Sequence, residues 1–296
     1  MKLRGARGVT GDEDDDVFVD SSEYIRVFPD HLARAVGRAI VVNDFGLPDG
    51  RLLSAGNDRM PVLKMRWTAA FTIIALLSCM LAAESPLQGP FTGWSLPEAV
   101  KILNESPWAR QETFTKVVGG VGSGIRGEKE IYNTFFVRLL SSPAIRQAYA
   151  RVTQIQLGYD QMDQDQQKAI DSQIARGLNL DVRQWIVVSV SFRSNDAGQE
   201  SQVEQFFQSR TSDTLRTSAY LSTARFPQVA LAAYYPPREQ TVGAKFVFPR
   251  YLDGVPVVSA GDDELAFELL GVPGADPLLR ATFSISKMVV DDELAL

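Results

Sequence analysis

A charge-free apolar run from Trp67 to Ala83 constrains this chain more than any other feature of its sequence. Two cations, Lys64 and Arg66, stand just before the run, and small residues close it. A basic segment, an apolar segment and a small-residue cleavage site, in this order, are the parts of a secretory signal. The run reaches only the lower limit for crossing a bilayer, which takes about 20 residues. We therefore predict that residues 64–83 are a signal peptide.

The segment before this signal, residues 1–63, does not fit an exported protein, because a signal stands at the start of a chain. The segment carries an acidic cluster at residues 12–16. We expect a misassigned start, with translation from Met60 or Met65 and residues 1–63 a non-native or disordered extension. Two alternatives stay open: an uncleaved anchor with a cytoplasmic tail, and a buried core helix of a two-domain soluble protein.

The end of the apolar run offers two sites of release. Cleavage after Ala83 suits a signal peptidase and frees a soluble protein that begins at Glu84. The sequence from Leu76 to Cys79 instead resembles a bacterial lipobox, in which Cys79 is lipidated and becomes the first residue. The predicted location is therefore outside the cytoplasm, periplasmic or extracellular, with a lipid tether on Cys79 as the open alternative.

Two scarce residues limit the chemistry of the rest of the chain. The only histidine is His31 and the only cysteine is Cys79, so everything from Met80 to Leu296 lacks imidazole and thiol. This excludes Ser-His-Asp and Cys-His catalysis, zinc sites built on His or Cys, and an internal disulfide there. The net charge of -6, with scattered cations, argues against nucleic acid as a partner.

Residues 84–296 predict a single α+β domain, a mostly antiparallel sheet with helices on one face, behind the N-terminal signal segment. Ser95 and Glu98 form a capping box that opens a helix ending before Pro107, and Ser142-Pro143 opens another. Further helices are expected at Asp163–Arg176, stopping at Gly177, and at Glu200–Thr223, broken near Thr211. The predicted strands are Glu112–Val118, Glu130–Leu140, Trp185–Arg193, Gln228–Tyr235, Lys245–Pro249, Glu264–Leu270 and Leu279–Val290.

A glycine-rich stretch from Gly119 to Gly127 contains a GxGxxG pattern that begins at Gly122. A dinucleotide site needs a helix to open at the third glycine, because the N-terminus of that helix holds the pyrophosphate. The residues after Gly127 are rich in β-branched and aromatic side chains, which indicates a strand. We interpret the stretch as the tip of a hairpin and predict no cofactor.

Acidic residues supply the weak candidates for metal binding and catalysis. Asp160, Asp163 and Asp165 suggest calcium, but the mid-loop glycine of an EF-type loop is missing, and acids at a helix start also act as caps. Two other clusters of carboxylates are present, and a hydrolase could use one pair of them as its catalytic acid and base. They contain the weak catalytic candidates Asp262, Asp263, Asp291 and Asp292.

Short motifs distributed along the domain resemble a known group of proteins. They are Ser106-Pro107-Trp108-Ala109, the glycine-rich loop, Phe136-Val137-Arg138-Leu139, Phe248-Pro249-Arg250 and a closing strand from Phe283 to Met288. The chain is similar over about Trp94 to Leu296 to uncharacterised exported proteins of soil acidobacteria. The resemblance implies export and a shared fold, and the group has no established activity to carry over.

Two hypotheses of function follow. The first is an exported, non-catalytic protein with a binding or structural role in the cell envelope or outside the cell, whose partner is an unknown protein or envelope component. It would contact the membrane only through the signal segment or a lipid on Cys79. The second is a carboxylate-dependent hydrolase outside the cytoplasm, which requires two shielded carboxylates that face each other in a cleft.

Overall fold

The structure is a computed structural model that describes residues 89–119, 128–237, 242–290 and 292–296. The predictions for residues 1–83, including the two release sites at Cys79 and Ala83, lie outside these ranges, as does Asp291. In the ranges described, no helix has both the length and the apolarity needed to cross a membrane.

Five helices are described, and the first two begin where the sequence predicts. The Ser95 hydroxyl accepts a hydrogen bond from the Glu98 N–H, while the Glu98 carboxylate accepts one from the Ser95 N–H, so the capping box is confirmed. Pro143 occupies the first turn of the second helix, where the missing N–H costs nothing. The helices are α1 (Leu96–Glu105), α2 (Pro143–Leu157), α3 (Gln164–Leu178), α4 (Ala197–Ser209) and α5 (Ser212–Leu215).

The strands of the described chain pair antiparallel throughout, as predicted for an α+β protein. The strands are β1 (Ala109–Gly119), β2 (Glu128–Leu139), β3 (Trp185–Ser194), β4 (Ala219–Ser222), β5 (Val229–Ala230), β6 (Ala233–Tyr235), β7 (Ala244–Pro249), β8 (Tyr251–Leu252), β9 (Val255–Pro256), β10 (Glu264–Leu270), β11 (Leu278–Ser284), β12 (Val289–Val290) and β13 (Glu293–Leu294). The first sheet has the order β1-β2-β3-β7-β6 and the second the order β11-β10-β4-β5.

The second sheet packs on one face of the first, and the core lies between them. Phe246 and Phe248 of β7 meet Phe267 of β10 edge to face, with ring centroids 5.2 and 6.2 Å apart. Such aromatic pairs add to the burial of large apolar surfaces. Helix α4 approaches the same side, where Phe207 contacts Phe246. The sequence predicted one sheet, and the covering of its second face by another sheet was not foreseen.

Helices α1 and α2 lie on the opposite face of the first sheet but cover only part of it. Arg138 near the end of β2 reaches the Leu103 carbonyl of α1 and the Tyr149 hydroxyl of α2. We call this covered region, where β2 ends and β3 begins, the proximal half. Toward Gly119 and Ser194, the same face carries exposed side chains, and we call that region the distal half.

Three predicted elements differ from the structure. The predicted helix Glu200–Thr223 is wrong at its end, because Ala219–Ser222 is a strand whose alternate residues are buried against β10. The predicted strand Gln228–Tyr235 is two short strands, β5 and β6, which belong to different sheets. The last predicted strand ends at Ser284, where the chain turns into a 3-10 helix as the Ile285 N–H donates to the Asp263 carbonyl.

One predicted boundary is also wrong. Gly177 does not stop helix α3, which continues to Leu178, and Asn179 follows as the cap residue. Gly177 is buried inside the last turn. The glycine is therefore part of the helix and does not end it.

Candidate binding surface at the distal half of the first sheet

The three predicted calcium ligands each have a structural role. Asp160 forms a two-pronged ion pair with Arg151, both N–O distances being 2.9 Å, and this pairing lowers the pKa of Asp160. Asp163 caps α3 by accepting from the backbone N–H groups of Asp165 and Gln166. Asp165 is exposed beside Lys168. The residues described here contain no group of three or more potential ligands that could hold a metal ion.

The candidate catalytic carboxylates are also placed. Asp262 accepts hydrogen bonds from the backbone and hydroxyl of Ser259 and pairs with Arg225, so its oxygens close a turn. Asp263 is exposed. Asp292 is exposed and has a φ of 63°.

The most buried carboxylate region of the second sheet is a cross-strand cluster. Glu268 is 8% exposed, accepts a 2.6 Å hydrogen bond from the Tyr220 hydroxyl and lies 3.5 Å from Arg280. Hydrogen bonding to Glu268 raises the pKa of Tyr220. Because both partners stand on neighbouring strands in register with Glu268, this cluster stabilises the outer face of the sheet.

In the proximal half, an arginine is buried without a carboxylate partner. Arg138 is 1% exposed and donates to the Leu103 carbonyl at 2.6 Å and the Asn104 side chain at 2.8 Å. It also donates to the hydroxyls of Tyr149 and Ser191. A buried guanidinium is tolerable only when its donors are satisfied. Arg138 therefore locks α1 and α2 onto the sheet and is not available to a ligand.

The distal half carries a hydroxyl-rich surface that we call the open face. Register places Thr113 opposite Thr134 and Thr115 opposite Tyr132, and side chains alternate between faces of a strand. Thr134 and Tyr132 therefore share the face of Arg138, although no helix covers them. Tyr132 is 39% exposed, and the two threonine hydroxyls of the Thr113–Thr134 pair are 3.0 Å apart. The open face consists of Gln111, Thr113, Thr115, Tyr132 and Thr134.

A recess of about 80 Å³ lies at the end of β3, where Val190 and Phe192 meet α4 on the side of the sheet opposite the open face. Arg193, which is in register with Thr134, lines it, and Glu200 and Glu204 of α4 supply carboxylates. Its apolar lining comes from Val190, Phe192, Val203 and Phe207. Strand β7 starts only at Ala244, so β3 runs past the point where its neighbour pairs with it. The recess occupies this gap.

Hydrogen bonds hold the rim of the recess in place. Glu200 accepts from the Ser194 N–H at 3.1 Å. The side chain of Asn195 exchanges hydrogen bonds with the backbone of Tyr132 and Glu130, and so continues the ladder beyond β3. Lys129 and Asp196 form an ion pair at 2.7 Å, and this pair lowers the pKa of Asp196. The open face and the recess therefore belong to one well-connected end of the sheet.

Gly243 shapes the recess from the β7 side. Its φ is 78°, and a Cβ placed on it would lie 2.0 Å from the Val190 carbonyl oxygen. Only glycine permits both this left-handed conformation and this approach. The turn therefore brings the start of β7 against the edge of β3.

The residues of this surface have no functional signature in the sequence. Thr113, Thr134 and Arg193 carry no catalytic or metal-binding pattern, and their alternation indicates only a strand with one exposed face. Glu200 and Glu204 were placed in a helix, but their position against β3 depends on a long-range contact. One signal in the sequence could have indicated this surface. Gln111, Thr113 and Thr115 are polar at alternate positions, whereas most other strands of the domain are largely apolar.

Comparison with known proteins adds no assignment. No protein-family model, no curated protein and no solved structure matches the chain. The resemblance to exported acidobacterial proteins therefore stays a prediction. The GxGxxG pattern lies in residues 120–127, outside the described ranges, and the chain that follows it is strand β2 and not the helix that a dinucleotide site requires.

Proposed function

We propose that this chain is an exported, non-catalytic binding protein that recognises a protein partner of the cell envelope through the open face. The signal-like segment at residues 64–83 motivates the location. The single observation that carries the binding role is the uncovered distal half of the first sheet, whose hydroxyl and aromatic side chains face outward from a well-connected scaffold.

The dimensions of the surface favour a macromolecule over a small ligand. Sites for small molecules enclose about 300–1,000 Å³, whereas the recess holds about 80 Å³, roughly the space for one side chain. The open face is an exposed surface of β1 and β2 and encloses no cavity of its own. It therefore suits a protein that lays its own surface on it. Arg193, which is in register with Thr134, provides a charged contact at the border of the open face that helps to select the partner.

The chemistry of the described groups supports binding over hydrolysis. Ser191 lines the recess, but its hydroxyl accepts a hydrogen bond from Arg138, and an activated serine needs an adjacent general base. The Asp262 carboxylate closes its own turn. A hydrolase instead requires two carboxylates across a cleft, and no observation on the described residues favours that arrangement.

The location is tested on the protein made by its native host. Intact mass and N-terminal sequencing after cell fractionation should find a terminus at Glu84, or a lipidated Cys79, in the envelope or medium. A cytoplasmic protein with an intact Met1 would contradict the export part of the proposal.

The binding role is tested by site-specific photo-crosslinking in the native host. A crosslinker at Thr113 should capture one reproducible protein partner other than a second copy of this chain, and Tyr132→Ala should reduce that product. A crosslinker at Lys168, exposed on α3 away from the sheet, is the control and should not capture it. The same product from both positions would contradict recognition by the open face.

A second assay separates binding from the hydrolase hypothesis. The purified full chain should not cleave chromogenic glycosides or casein. Cleavage that is lost on Asp262→Asn, with the fold intact by circular dichroism, would establish the alternative and overturn the proposal.

A further inference from the structure

Strand β1 forms a long, regular edge of the first sheet. It pairs with β2 along all of its length from Ala109 to Gly119, and its register runs without a break. It contains no proline and no bulge. Protein sheets usually protect such edges by shortness, proline, bulges or covering elements, because an unpaired strand is a template for another strand.

The backbone of β1 shows which groups point away from the sheet. The Leu139 N–H donates to the Trp108 carbonyl, so the even-numbered residues of this strand direct their backbone groups toward β2. The odd-numbered residues direct theirs to the outer edge. Among the residues that the structure describes, no hydrogen bond reaches the backbone groups of these outward residues beyond Ala109, which are Gln111, Thr113, Thr115 and Val117.

The other edges of the two sheets are protected. Strands β5 and β6 are only two and three residues long, and Pro236 follows β6 directly. On β11, the Thr282 carbonyl accepts a 2.6 Å hydrogen bond from Arg110, whose guanidinium also lies over Phe283 at 5.2 Å. Thus Arg110 joins β1 to the edge of β11, and β11 lies close to β1. Further along β1, Thr113, Thr115 and Val117 are exposed.

The sequence of β1 is complementary to itself about Phe114. If a second copy runs antiparallel with Phe114 opposite Phe114, Glu112 of each copy faces Lys116 of the other. Thr113 then faces Thr115, and Gln111 faces Val117. Both of these pairs join residues whose backbone groups point outward, so about eight new backbone hydrogen bonds form.

The other registers centred within residues 112–116 do not have this property, and centring on Gln111 pairs Glu112 with Arg110 but leaves Thr115 and Val117 without partners on β1 of the other copy. Centring on Glu112 or on Lys116 places like charges opposite each other, which is destabilising. Centring on Thr113 places Arg110 opposite Lys116. Centring on Thr115 avoids repulsion but forms no ion pair. If the centre of the pairing lay between two residues, each residue with outward backbone groups would face one with inward backbone groups. The hydrogen-bond ladder between the two copies could not form.

We propose that two copies of this chain pair through the outer edge of β1, antiparallel and centred on Phe114, to form one continuous ten-stranded sheet. A lysine such as Lys116 usually protects an unpaired edge strand from pairing with another strand. In the proposed dimer, Glu112 of the other copy lies opposite Lys116 and neutralises this charge. Glu112 is partly shielded, and burial raises its pKa, so a facing cation offsets a cost already present in the monomer. The pairing also joins the two open faces into one surface, but it does not rest on the proposed function.

The register is tested by charge reversal on the purified full chain. Glu112→Lys leaves two lysines on each β1, and Lys116→Glu leaves two glutamates, so each variant alone should weaken the dimer about tenfold or more. An equimolar mixture of the two variants restores both opposite-charge pairs. Analytical ultracentrifugation and native mass spectrometry should therefore find weakened self-association of each variant and a heterodimer in the mixture.

The edge itself is tested by Thr115→Pro. The Thr115 N–H points outward, so proline removes no bond of the β1–β2 ladder, and proline is tolerated on edge strands. We expect a folded monomer, whose circular dichroism and cooperative melting match those of the original chain. Lys168→Glu on α3 makes the same charge change as Lys116→Glu far from the edge, and it should leave the dimer intact.

Three outcomes would overturn the proposal. They are an original chain that stays monomeric across the micromolar range, a dimer that survives Thr115→Pro, and charge-reversed variants whose mixture fails to form a heterodimer. Because Thr115→Pro and the mixture do not depend on one another, a folding failure of one variant still leaves a decisive measurement.

Discussion

The two halves of the first sheet are built from the same strands but present opposite environments. In the proximal half, Arg138 on β2 is buried among backbone carbonyls, hydroxyls and an amide. In the distal half, Thr134 and Tyr132 lie further along β2 on the same face, and their side chains contact solvent. The difference comes from the cover, since α1 and α2 extend over only one half. A sheet face thus becomes core or surface according to what packs on it.

The comparison also shows where polar groups are costly. Each hydrogen-bond donor of a polar side chain in the proximal half needs a partner, because burying a donor without one costs free energy. In the distal half, water replaces any missing partner. Substitutions in the two halves should therefore differ strongly in their effect on the free energy of unfolding, and four experiments test this expectation.

The largest effect is expected for Arg138→Met, which removes the guanidinium but keeps much of the side-chain volume. The Leu103 carbonyl and the Tyr149 hydroxyl lose a buried donor, and we expect a loss of about 4 kcal/mol in the free energy of unfolding. Urea denaturation measures it. Arg183→Met, on an exposed ion pair with Asp181, is the control and should cause no resolvable change. Equal effects would mean that burial in the proximal half is not what makes Arg138 important.

Gly243→Ala should have the next largest effect and would disturb the distal end. The added Cβ meets the Val190 carbonyl oxygen in a left-handed backbone conformation, and we expect a loss of about 3 kcal/mol in thermal or urea unfolding. Gly254→Ala is the matched control, because Gly254 has a similar φ of 76° with no atom within 4 Å. It should lose only about 1 kcal/mol. If the two variants were equally stable, close approach to β3 would not constrain Gly243.

Asp160→Asn should have a smaller effect that depends on pH. The carboxylate pairs with the mostly buried Arg151 of α2, but it is half exposed, so we expect about 1 kcal/mol at neutral pH. Because folding lowers the pKa of Asp160, this stabilisation is fully present above the ordinary value of 3.8 and is lost as the pH falls through the folded-state pKa.

Urea unfolding between neutral and acid pH checks this dependence. The difference between the original chain and the Asn variant should shrink below pH 3.8, the ordinary pKa of the carboxyl. If the difference in the free energy of unfolding stayed constant down to strongly acid pH, the charge of Asp160 would not stabilise the helices on the proximal half.

The smallest effect is expected for Thr113→Val in the distal half. Valine keeps the β-branched shape and loses only the exposed hydroxyl contact with Thr134, so the free energy of unfolding should change by no more than about 0.5 kcal/mol. Chemical denaturation measures it beside Arg138→Met. A loss as large as that of Arg138→Met would remove the distinction between the two halves.

Local signals in the sequence predicted many elements well. The capping box at Ser95, the Ser142-Pro143 start and the alternation predicted for Trp185–Arg193 each depend on neighbouring residues alone. The Glu264–Leu270 strand was placed at its observed bounds. These predictions succeed because caps and periodicity are set by short-range geometry.

Predictions failed where a distant contact decides the conformation. Ala219–Ser222 follows a helical stretch and becomes a strand because β10 is beside it. The segment around Val229 and Tyr234 divides between two sheets, and no local pattern marks the crossing. The residues around the recess were missed for the same reason, since Arg193 and Glu200 line one recess only when α4 packs on β3.

The sequence by itself determined the absence of His and Cys chemistry after Met80, the α+β class and the boundaries of the strongly patterned elements, because composition and short-range geometry do not depend on the rest of the fold. It also contains the self-complementary pattern of Glu112, Phe114 and Lys116. Only the tertiary structure decided that this pattern lies on an open edge, and that half of one sheet face is covered while the other half is exposed. Exposure is a property of packing between distant segments, and no single segment encodes it.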